Sequence, residues 1–347
     1  MIFRCDGGVA GGLGHVSRCL GLAEALAERH VDALFIGDYS AHALALLGAA
    51  QVECVVAAGS LGSADDRAAL LSVAQLRQAL GFVVDSYTIG ADYLAALGVA
   101  APVVAIDDFA ALPAYPCVAV LNFTVRSARL RYPAGPAARL LGPAYMLVGP
   151  GVRRLGRRAH PPANAERVLV AIGGVDRHGL TARVLETLAR VDASLAVYVV
   201  ARPDERDLDT LERRVATFAS GRVLTGLDSL SSPYAWADTC VSGGGLMKYE
   251  SGFIGLPTGV LSQTPGEAED VQQCVALGFV VDLGGPDVPE RPLVARLTAL
   301  LGDADLRRAL YDASGRELGA DPAARAADDV LALLRADKLV RRRERRA

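Results

Sequence analysis

Short apolar runs alternate with segments of helical periodicity along this 347-residue chain. In the first half, the apolar runs 33–37, 82–85 and 103–106 are separated by stretches whose apolar residues recur at helical spacing. The same alternation restarts at residues 167–172. Strands that alternate with helices build parallel sheets covered on both faces. The sequence therefore predicts an α/β fold.

A change of composition separates the two halves. Between Gly149 and Glu166 the chain is rich in Pro, Gly, Arg and Ala and shows little apolar periodicity. We predict a first domain over 1–150, a linker over 151–166 and a second domain over 167–347. The linker carries a basic cluster, expected to be a solvated face rather than a binding patch: Arg153, Arg154, Arg157 and Arg158.

Composition excludes several classes of protein. Hydrophobic residues make up 52% of the chain, which supports sizeable cores, and no apolar run reaches the length of a membrane span. The N-terminus lacks the basic-then-apolar order of a signal peptide, and the net charge of −3 argues against general nucleic-acid affinity. We expect a cytoplasmic protein. The cysteines lack Cys-x-x-Cys spacing and are expected to be buried free thiols: Cys5, Cys19, Cys54, Cys117, Cys240 and Cys274.

The first candidate site is a glycine-rich loop over residues 6–14, which follows a short apolar strand and leads into a helix. Glycines let the backbone approach an anion, and a helix N-terminus offers unpaired N–H groups and the positive end of the helix dipole. The same dipole disfavours a charged imidazole at His15, which makes that side chain a candidate general base. A tight turn without a ligand is the alternative, since the spacing matches neither the Rossmann fingerprint nor the P-loop.

Acidic residues follow two of the predicted strands. Asp85 ends one strand, and Asp107 and Asp108 end the next. Because ligands of open parallel sheets lie beyond the carboxyl ends of the strands, these side chains are candidates to line a pocket. An aspartate after a strand also commonly caps the next helix, and that alternative applies to all three.

The second half carries its own glycine motif. Gly243–Gly245 follow a strand and precede a helix that contains Glu250. Exposed backbone N–H groups suit a diphosphate, and a carboxylate early in the helix can accept both hydroxyls of a ribose. The alternative is a glutamate favoured only by the helix dipole. Gly173 and Gly174 follow the first strand of this half and form either a second anion-binding turn or a plain tight turn.

Residues 12–23, Gly-Leu-Gly-His-Val-Ser-Arg-Cys-Leu-Gly-Leu-Ala, resemble the opening motif of the UDP-2,4-diacetamido-2,4,6-trideoxy-altropyranose hydrolases of pseudaminic acid biosynthesis. Spore-coat polysaccharide proteins share this pattern, and both groups are similar to the MurG-type glycosyltransferases. The resemblance implies a GT-B-like fold, with two Rossmann-like domains facing each other across a cleft and the last helix packing back on the first domain. Residues 242–257 resemble the family's nucleotide-binding segment, in which Glu250 would hold the ribose.

The resemblance also extends to the aspartate-containing strand ends. Asp85-Ser86-Tyr87 resembles the family's Asp-x-Tyr turn, which makes Tyr87 a candidate sugar contact, and residues 106–108 resemble its Ile-Asp-Asp strand end. The chain lacks the Asn-Gln pair that commonly follows residue 262 in the family, so Gln263 or Glu267 takes that role or the substrate differs. Lys248 replaces a small or apolar residue and would pair with a phosphate or with Glu250.

These observations define two sets of candidate binding residues. The predicted substrate-binding residues are Gly12, Gly14, Arg18, Asp85, Tyr87, Asp108, Gln263 and Glu267. The predicted nucleotide-binding residues are Gly173, Gly174, Gly243, Gly244, Gly245, Leu246, Lys248 and Glu250.

The resemblance implies hydrolysis of a nucleotide-linked sugar, with UDP as the nucleotide. Water would attack the anomeric carbon with His15 as general base, while the glycine-loop amides and Lys248 stabilise the leaving diphosphate without an obligatory metal or a cofactor. Two alternatives stay open. An inverting glycosyltransferase would use the same donor with an acceptor in place of water, and the missing Asn-Gln pair favours it. A non-catalytic nucleotide-sugar sensor would bind the donor without turnover.

Overall fold

The computed structural model describes residues 1–8, 13–57, 59–173, 175–203, 205 and 207–344. In chain order, the strands in these ranges are β1 (Ile2–Cys5), β2 (Leu34–Gly37), β3 (Glu53–Val56), β4 (Phe82–Asp85), β5 (Val103–Ile106), β6 (Ala119–Asn122), β7 (Ala138–Leu141), β8 (Arg167–Ala171), β9 (Ala196–Val200), β10 (Ser220–Leu224), β11 (Thr239–Gly243), β12 (Thr258–Leu261) and β13 (Val281–Gly284). The α-helices are α1 (Gly14–Ala27), α2 (Ala41–Ala49), α3 (Ala64–Leu76), α4 (Ala91–Ala100), α5 (Pro150–Leu155), α6 (Leu180–Val191), α7 (Leu208–Val215), α8 (Ser231–Trp236), α9 (Met247–Phe253), α10 (Pro265–Leu277), α11 (Glu290–Gly302), α12 (Ala304–Leu318) and α13 (Pro322–Glu344).

The chain divides into two compact units. The first unit comprises Met1–Pro150 and Asp321–Ala347, and the second comprises Gly151–Ala320. Helix α13 therefore belongs to the first unit, where it packs against α1. Both units are α/β units built on a parallel sheet, as the alternation of strands and helices predicts.

The sheet of the first unit has seven strands in the order β3-β2-β1-β4-β5-β6-β7. All its strand pairs are parallel. The central strands are buried and mainly apolar, because helices cover both faces, with Arg4 in β1 and Asp85 in β4 as buried charged residues. Phe3 of β1 stacks on Phe35 of β2 with ring centroids 4.8 Å apart. Strand order 2-1-4-5 brings the C-terminal ends of β1, β4 and β5 to one edge, where the candidate residues of this unit lie.

The sheet of the second unit has six parallel strands in the order β10-β9-β8-β11-β12-β13. Its core on one face is formed by helix α6 packing on β8, α7 on β9, and α11 on β12 and β13. Strand order places the C-terminal ends of β8, β11 and β12 side by side. The glycine motifs of the second half follow these strands.

Two local expectations differ from the structure. The segment 151–166 lies in the second unit and includes most of α5, and two of its arginines bind backbone carbonyls. Arg157 donates to the carbonyl of Gly252 at 3.0 Å, and Arg158 donates to the carbonyl of Ala237 at 2.6 Å. These two side chains fasten the segment to its unit rather than forming a solvated face.

The cysteine expectation holds only in part. All six cysteines are free thiols, but Cys54 is exposed and Cys117 is half-buried. Cys54 lies on β3, which is an edge strand, so a side chain on an otherwise apolar run stays open to solvent there.

Among the helices of the described residues, none combines the length and the apolar character needed to cross a bilayer.

Candidate active site

The first unit gathers five predicted residues at one edge of its sheet. His15 and Arg18 lie one turn apart on α1, Asp85 ends β4, and Tyr87 and Asp108 follow β4 and β5. Residues three apart on a helix share a face, which directs His15 and Arg18 to the same side. Neighbouring parallel strands deliver the two aspartates to that side as well.

Arg18 is the centre of this network. Its Nε donates to Asp85 Oδ2 at 2.6 Å and its Nη2 donates to Asp85 Oδ1 at 2.5 Å, which is a bidentate pair. Its Nη1 donates to Asp108 Oδ2 at 2.7 Å. Only 2% of the Arg18 surface is exposed, and both carboxylates are also buried. One guanidinium therefore holds two carboxylates together in an environment where an unpaired charge would be costly.

His15 contacts the same carboxylate. Its Nδ1 lies 2.8 Å from Asp85 Oδ1. Burial opposes ionisation of Asp85, but the charge and hydrogen bonds of Arg18 and the hydrogen bond of His15 lower its pKa to about 2. Nδ1 also lies 3.3 Å from Arg18 Nη2, but the shorter contact is with Asp85, and because an ionised carboxylate only accepts hydrogen bonds, that contact assigns the proton to Nδ1. In this neutral tautomer, Nε2 is unprotonated and its lone pair can take a proton from a substrate.

Tyr87 covers His15 and binds Asp108. Its hydroxyl donates to Asp108 Oδ2 at 2.7 Å, and its ring meets the His15 ring edge-on with centroids 4.6 Å apart. Burial of the hydroxyl, together with the nearby Asp108 carboxylate, raises the pKa of Tyr87, so the phenol stays protonated and acts as a donor. The ring is half-exposed, which leaves apolar surface beside His15 for a ligand.

The neighbouring aspartates have separate roles. Asp107 accepts from the backbone N–H of Phe109 at 2.8 Å and of Ala111 at 3.3 Å, so it takes the loop-capping role. The Oδ1 atom of Asp108 is buried without a hydrogen-bond partner among the described residues. A buried acceptor without a partner is costly, so this atom is suited to accept a hydrogen bond from a ligand hydroxyl.

The glycine turns of the second unit lie at the ends of β8 and β11. A Cβ on Gly243 would lie 1.9 Å from the carbonyl oxygen of Ile172, so the two turns approach at a distance that only glycine permits. Gly173 has a φ of +126°, which also favours glycine. Gly245 is exposed with open space beside its Cα, and Leu246 occupies the N-cap position of α9.

Gln263 and Glu267 lie beside this loop. The Glu267 side chain packs against Gly244, where an added Cβ would lie 2.8 Å from Oε2. The same Oε2 accepts from the backbone N–H of Gln263 at 2.6 Å, and Gln263 Oε1 accepts from the backbone N–H of Arg177 at 3.0 Å. Both candidate replacements for the missing Asn-Gln pair thus join the turns after β8, β11 and β12.

Glu250 lies in the first turn of α9, beside the buried side chain of Tyr234. The hydroxyl of Tyr234 donates to its Oε2 at 3.2 Å. Burial raises the pKa of Glu250 to about 6, although the hydrogen bond from Tyr234 acts in the opposite direction. The carboxylate charge is therefore poorly compensated, which favours binding of a group with hydroxyl donors.

The structure pairs Lys248 with Asp270 rather than with Glu250. Its Nζ lies 2.6 Å from Asp270 Oδ2, and it donates to the carbonyls of Gly244 and Gly245, the latter at 3.1 Å. The side chain is 2% exposed. These contacts fasten the glycine loop to α10, and a phosphate contact by Lys248 stays a prediction. No sequence pattern indicates Asp270 as the partner of Lys248 or Tyr234 as the partner of Glu250.

Two of the predicted glycines, Gly12 and Gly174, lie outside the described residues. Gly14 is the first residue of α1, directly before His15.

Among the described residues, no group of three or more His, Cys, Asp or Glu side chains has an arrangement that could hold a metal ion.

Fold and site together define a GT-B chain with one cluster of polar residues in each unit. No family model matches the sequence. The spore coat polysaccharide biosynthesis protein SpsG of Bacillus subtilis is 25% identical over 206 residues, which cover 58% of this chain and 60% of SpsG. An uncharacterised protein of Methanocaldococcus jannaschii is 28% identical over 107 residues, 30% of this chain and 22% of that protein. The chain thus spans less than two thirds of either relative.

Solved structures match over nearly the whole chain. MurG of Acinetobacter baumannii is 14% identical with a TM-score of 0.59, covering 96% of this chain and 99% of MurG. The glycosyltransferase VinC, solved in complex with dTDP, is 12% identical with a TM-score of 0.63 over the same shares. A putative UDP-N-acetylglucosamine 2-epimerase of Listeria monocytogenes is 12% identical with a TM-score of 0.62, covering 97% of this chain and 96% of its own. At these identities the likeness establishes the fold, and the reaction must be argued from the site.

Proposed function

We propose that this chain is a nucleotide-sugar-dependent enzyme that transfers a sugar, with inversion, from a nucleoside diphosphate to an acceptor hydroxyl or amine. The observation that carries the proposal is the His15–Asp85 pair, in which an ionised carboxylate fixes the proton on Nδ1 and leaves Nε2 free. Several solved structures of this fold are named as glycosyltransferases, which favours transfer to an acceptor over hydrolysis.

In the proposed reaction, His15 Nε2 takes a proton from the acceptor as its oxygen or nitrogen attacks the anomeric carbon. The bond between that carbon and the diphosphate oxygen breaks, and the diphosphate leaves with the electron pair. Asp85 stabilises the imidazolium that forms, because its carboxylate accepts from Nδ1 and stays ionised. Arg18 holds Asp85 in place and compensates its charge.

The second unit would bind the nucleotide. The turns at Gly173 and at Gly243–Gly245 offer backbone N–H groups for the diphosphate, and Glu250 would accept hydrogen bonds from the ribose hydroxyls. The raised pKa of Glu250 supports this assignment, since two ribose donors would compensate a carboxylate whose hydroxyl donor among the described residues is Tyr234. Lys248 would hold the loop through Asp270 rather than bind phosphate directly.

Hydrolysis is the second candidate, with water in place of the acceptor. It is favoured by the Gly-His-x-x-Arg opening over residues 14–18, which resembles the opening motif of nucleotide-sugar hydrolases. The His15–Asp85 pair would deprotonate water as well as an alcohol, so the base does not discriminate between the two reactions.

The experiment is a donor panel with and without acceptors. The full chain is incubated with UDP-, TDP-, GDP- and CMP-sugars, and nucleotide release is followed by chromatography, first alone and then with a set of sugar, amino-sugar and aglycone acceptors. Release that depends on an acceptor supports transfer, and release without one supports hydrolysis. Saturable donor binding without release under any condition would contradict both and indicate a nucleotide-sugar sensor.

A further inference from the structure

A row of rings runs outward from His15 to a residue that has no part in the reaction proposed above. The Tyr87 ring meets the His15 ring at a centroid distance of 4.6 Å and the Phe109 ring at 5.0 Å. The guanidinium of Arg126 then lies over Phe109, 4.7 Å from the ring centroid. Two aromatic rings, Tyr87 and Phe109, therefore lie between Arg126 and the candidate general base.

Several buried polar atoms near this row of rings lack hydrogen-bond partners within the described part of the chain. The Nε atom of Arg126 and the hydroxyl of Ser127 are buried without a hydrogen-bond partner among the described residues, as is Asp108 Oδ1. Ser127 is fully buried, and Asp108 is 6% exposed. Buried polar atoms are rarely left without partners in folded proteins, so an incomplete set near a candidate active site indicates a place for a ligand.

The charge of this part of the first unit is positive. Residues 109–150 contain no Asp or Glu and four arginines, Arg126, Arg129, Arg131 and Arg139, in a chain whose net charge is −3. Arg18 is already bound to two carboxylates, whereas the cation of Arg126 rests on an aromatic face. A guanidinium held by a ring keeps its N–H groups available for a carboxylate or phosphate.

We infer that Phe109 and Arg126 form a subsite for a negatively charged substituent, a carboxylate or phosphate, on the sugar substrate or its acceptor. The half-exposed faces of Tyr87 and Phe109 would contact the sugar ring, Asp108 Oδ1 would accept from one of its hydroxyls, and Arg126 would bind the anionic group. This inference rests on the proposed function, since it takes the ligand beside His15 to be a sugar.

The test compares charged and neutral probes on the full chain. In the first arm, methyl β-glucuronide, glucose 6-phosphate and methyl β-glucoside are titrated into the protein by ligand-observed NMR, once without nucleotide and once with saturating UDP. In the second arm, UDP-glucuronic acid competes with UDP-glucose. The first arm reports an anionic acceptor, and the second reports an anionic donor sugar. The variants are Arg126→Gln and the matched control Arg129→Gln, an exposed arginine on the same short segment.

We expect the wild-type protein to prefer a charged probe over its neutral counterpart by about tenfold in at least one arm, the size of one charge-assisted hydrogen bond. Arg126→Gln should abolish the preference, and Arg129→Gln should retain it. A preference that persists in Arg126→Gln, or wild-type protein without a preference in either arm, overturns the inference. UDP affinity is measured in parallel. Failure of the wild-type protein to bind UDP would count against the proposed function alone, because the free glycosides can be tested without nucleotide.

Discussion

The Nδ1 atom of His15 lies 2.8 Å from Oδ1 of Asp85, and that carboxylate is held in turn by two N–H groups of Arg18. The pair fixes which imidazole nitrogen carries the proton, because an ionised carboxylate cannot donate. A general base whose proton is placed by a buried carboxylate is a recurring arrangement in enzymes that activate a hydroxyl or water.

Asp85→Asn should impair turnover more than binding. The amide keeps the size of the side chain but can donate to Nδ1, which would move the imidazole proton to Nε2 and remove the base. We expect kcat to fall by about 10²–10⁴-fold with donor affinity changed by less than about threefold. Steady-state kinetics and UDP titration check this. An unchanged kcat in folded Asp85→Asn protein would contradict the role given to the pair.

Arg18→Met should destabilise the first unit. The substitution leaves two buried carboxylates, Asp85 and Asp108, without their shared cation, which typically costs about 3–5 kcal/mol of unfolding free energy. Urea unfolding at pH 7 measures the loss. The control is Arg77→Met, which breaks an exposed pair with Glu53 and should cost less than about 1 kcal/mol. Equal losses in the two variants would contradict the account of Arg18.

Lowering the pH should remove the stability that ionised Asp85 contributes. The folded-state pKa of Asp85 is lowered to about 2, so its contribution to stability is fully present above the ordinary carboxyl pKa near 4. That contribution is lost as the pH falls from there through about 2. In Asp85→Asn protein this part of the acid dependence should be absent, so its unfolding free energy should fall less steeply than that of the wild type between pH 4 and pH 2. Parallel curves would show that Asp85 has an ordinary pKa in the folded protein.

Ribose recognition by Glu250 should depend on pH. Because the pKa of this carboxyl is raised to about 6, it gains a proton as the pH falls through 6 and then loses acceptor capacity. We expect the affinity ratio of UDP over 2′-deoxy-UDP to be about tenfold at pH 8 and to approach one at pH 5. Glu250→Gln should give a small ratio at both pH values. A wild-type ratio that is the same as that of Glu250→Gln at pH 8 would exclude this carboxylate from ribose binding, and a large ratio that is constant with pH would contradict the raised pKa.

Two adjacent glycines offer a matched test of the loop. An added Cβ at Gly244 would meet Glu267 Cβ at 2.7 Å, whereas one at Gly245 would meet nothing within 4 Å. Gly244→Ala must therefore displace Glu267 and should weaken UDP binding by about tenfold or more, while Gly245→Ala should leave the loop's conformation intact. Calorimetric titration of UDP into both variants checks the difference. Equal affinities would mean that the contact with Glu267 does not shape the site.

Sequence patterns predict elements better than partners. The alternation of strands and helices predicts the parallel sheets, because its apolar periodicity reflects burial directly. The pattern also identifies His15, Arg18, Asp85 and Asp108 as candidates, since they lie at strand ends or a helix start. It does not predict that one arginine binds both aspartates, because that contact depends on the spatial order of β1, β4 and β5.

The partners of the second unit show the same limit. Lys248 and Asp270 lie on different helices, and their pairing follows from how α10 packs beside the glycine loop. No sequence pattern indicates the contact between Phe109 and Arg126, because an aromatic residue and an arginine in separate segments between strands carry no spacing signal. Contacts between residues distant in sequence are decided by tertiary packing, which local periodicity does not encode.

The most direct test of the central claim is nucleotide release by His15→Ala on the best donor found in the panel, with its acceptor where one is needed. His42→Ala, an exposed histidine on α2, is the control. If His15 is the general base, His15→Ala should lower kcat by at least about 10²-fold while UDP binding is preserved, and His42→Ala should retain the wild-type rate. Wild-type turnover in His15→Ala would contradict the assignment of the base.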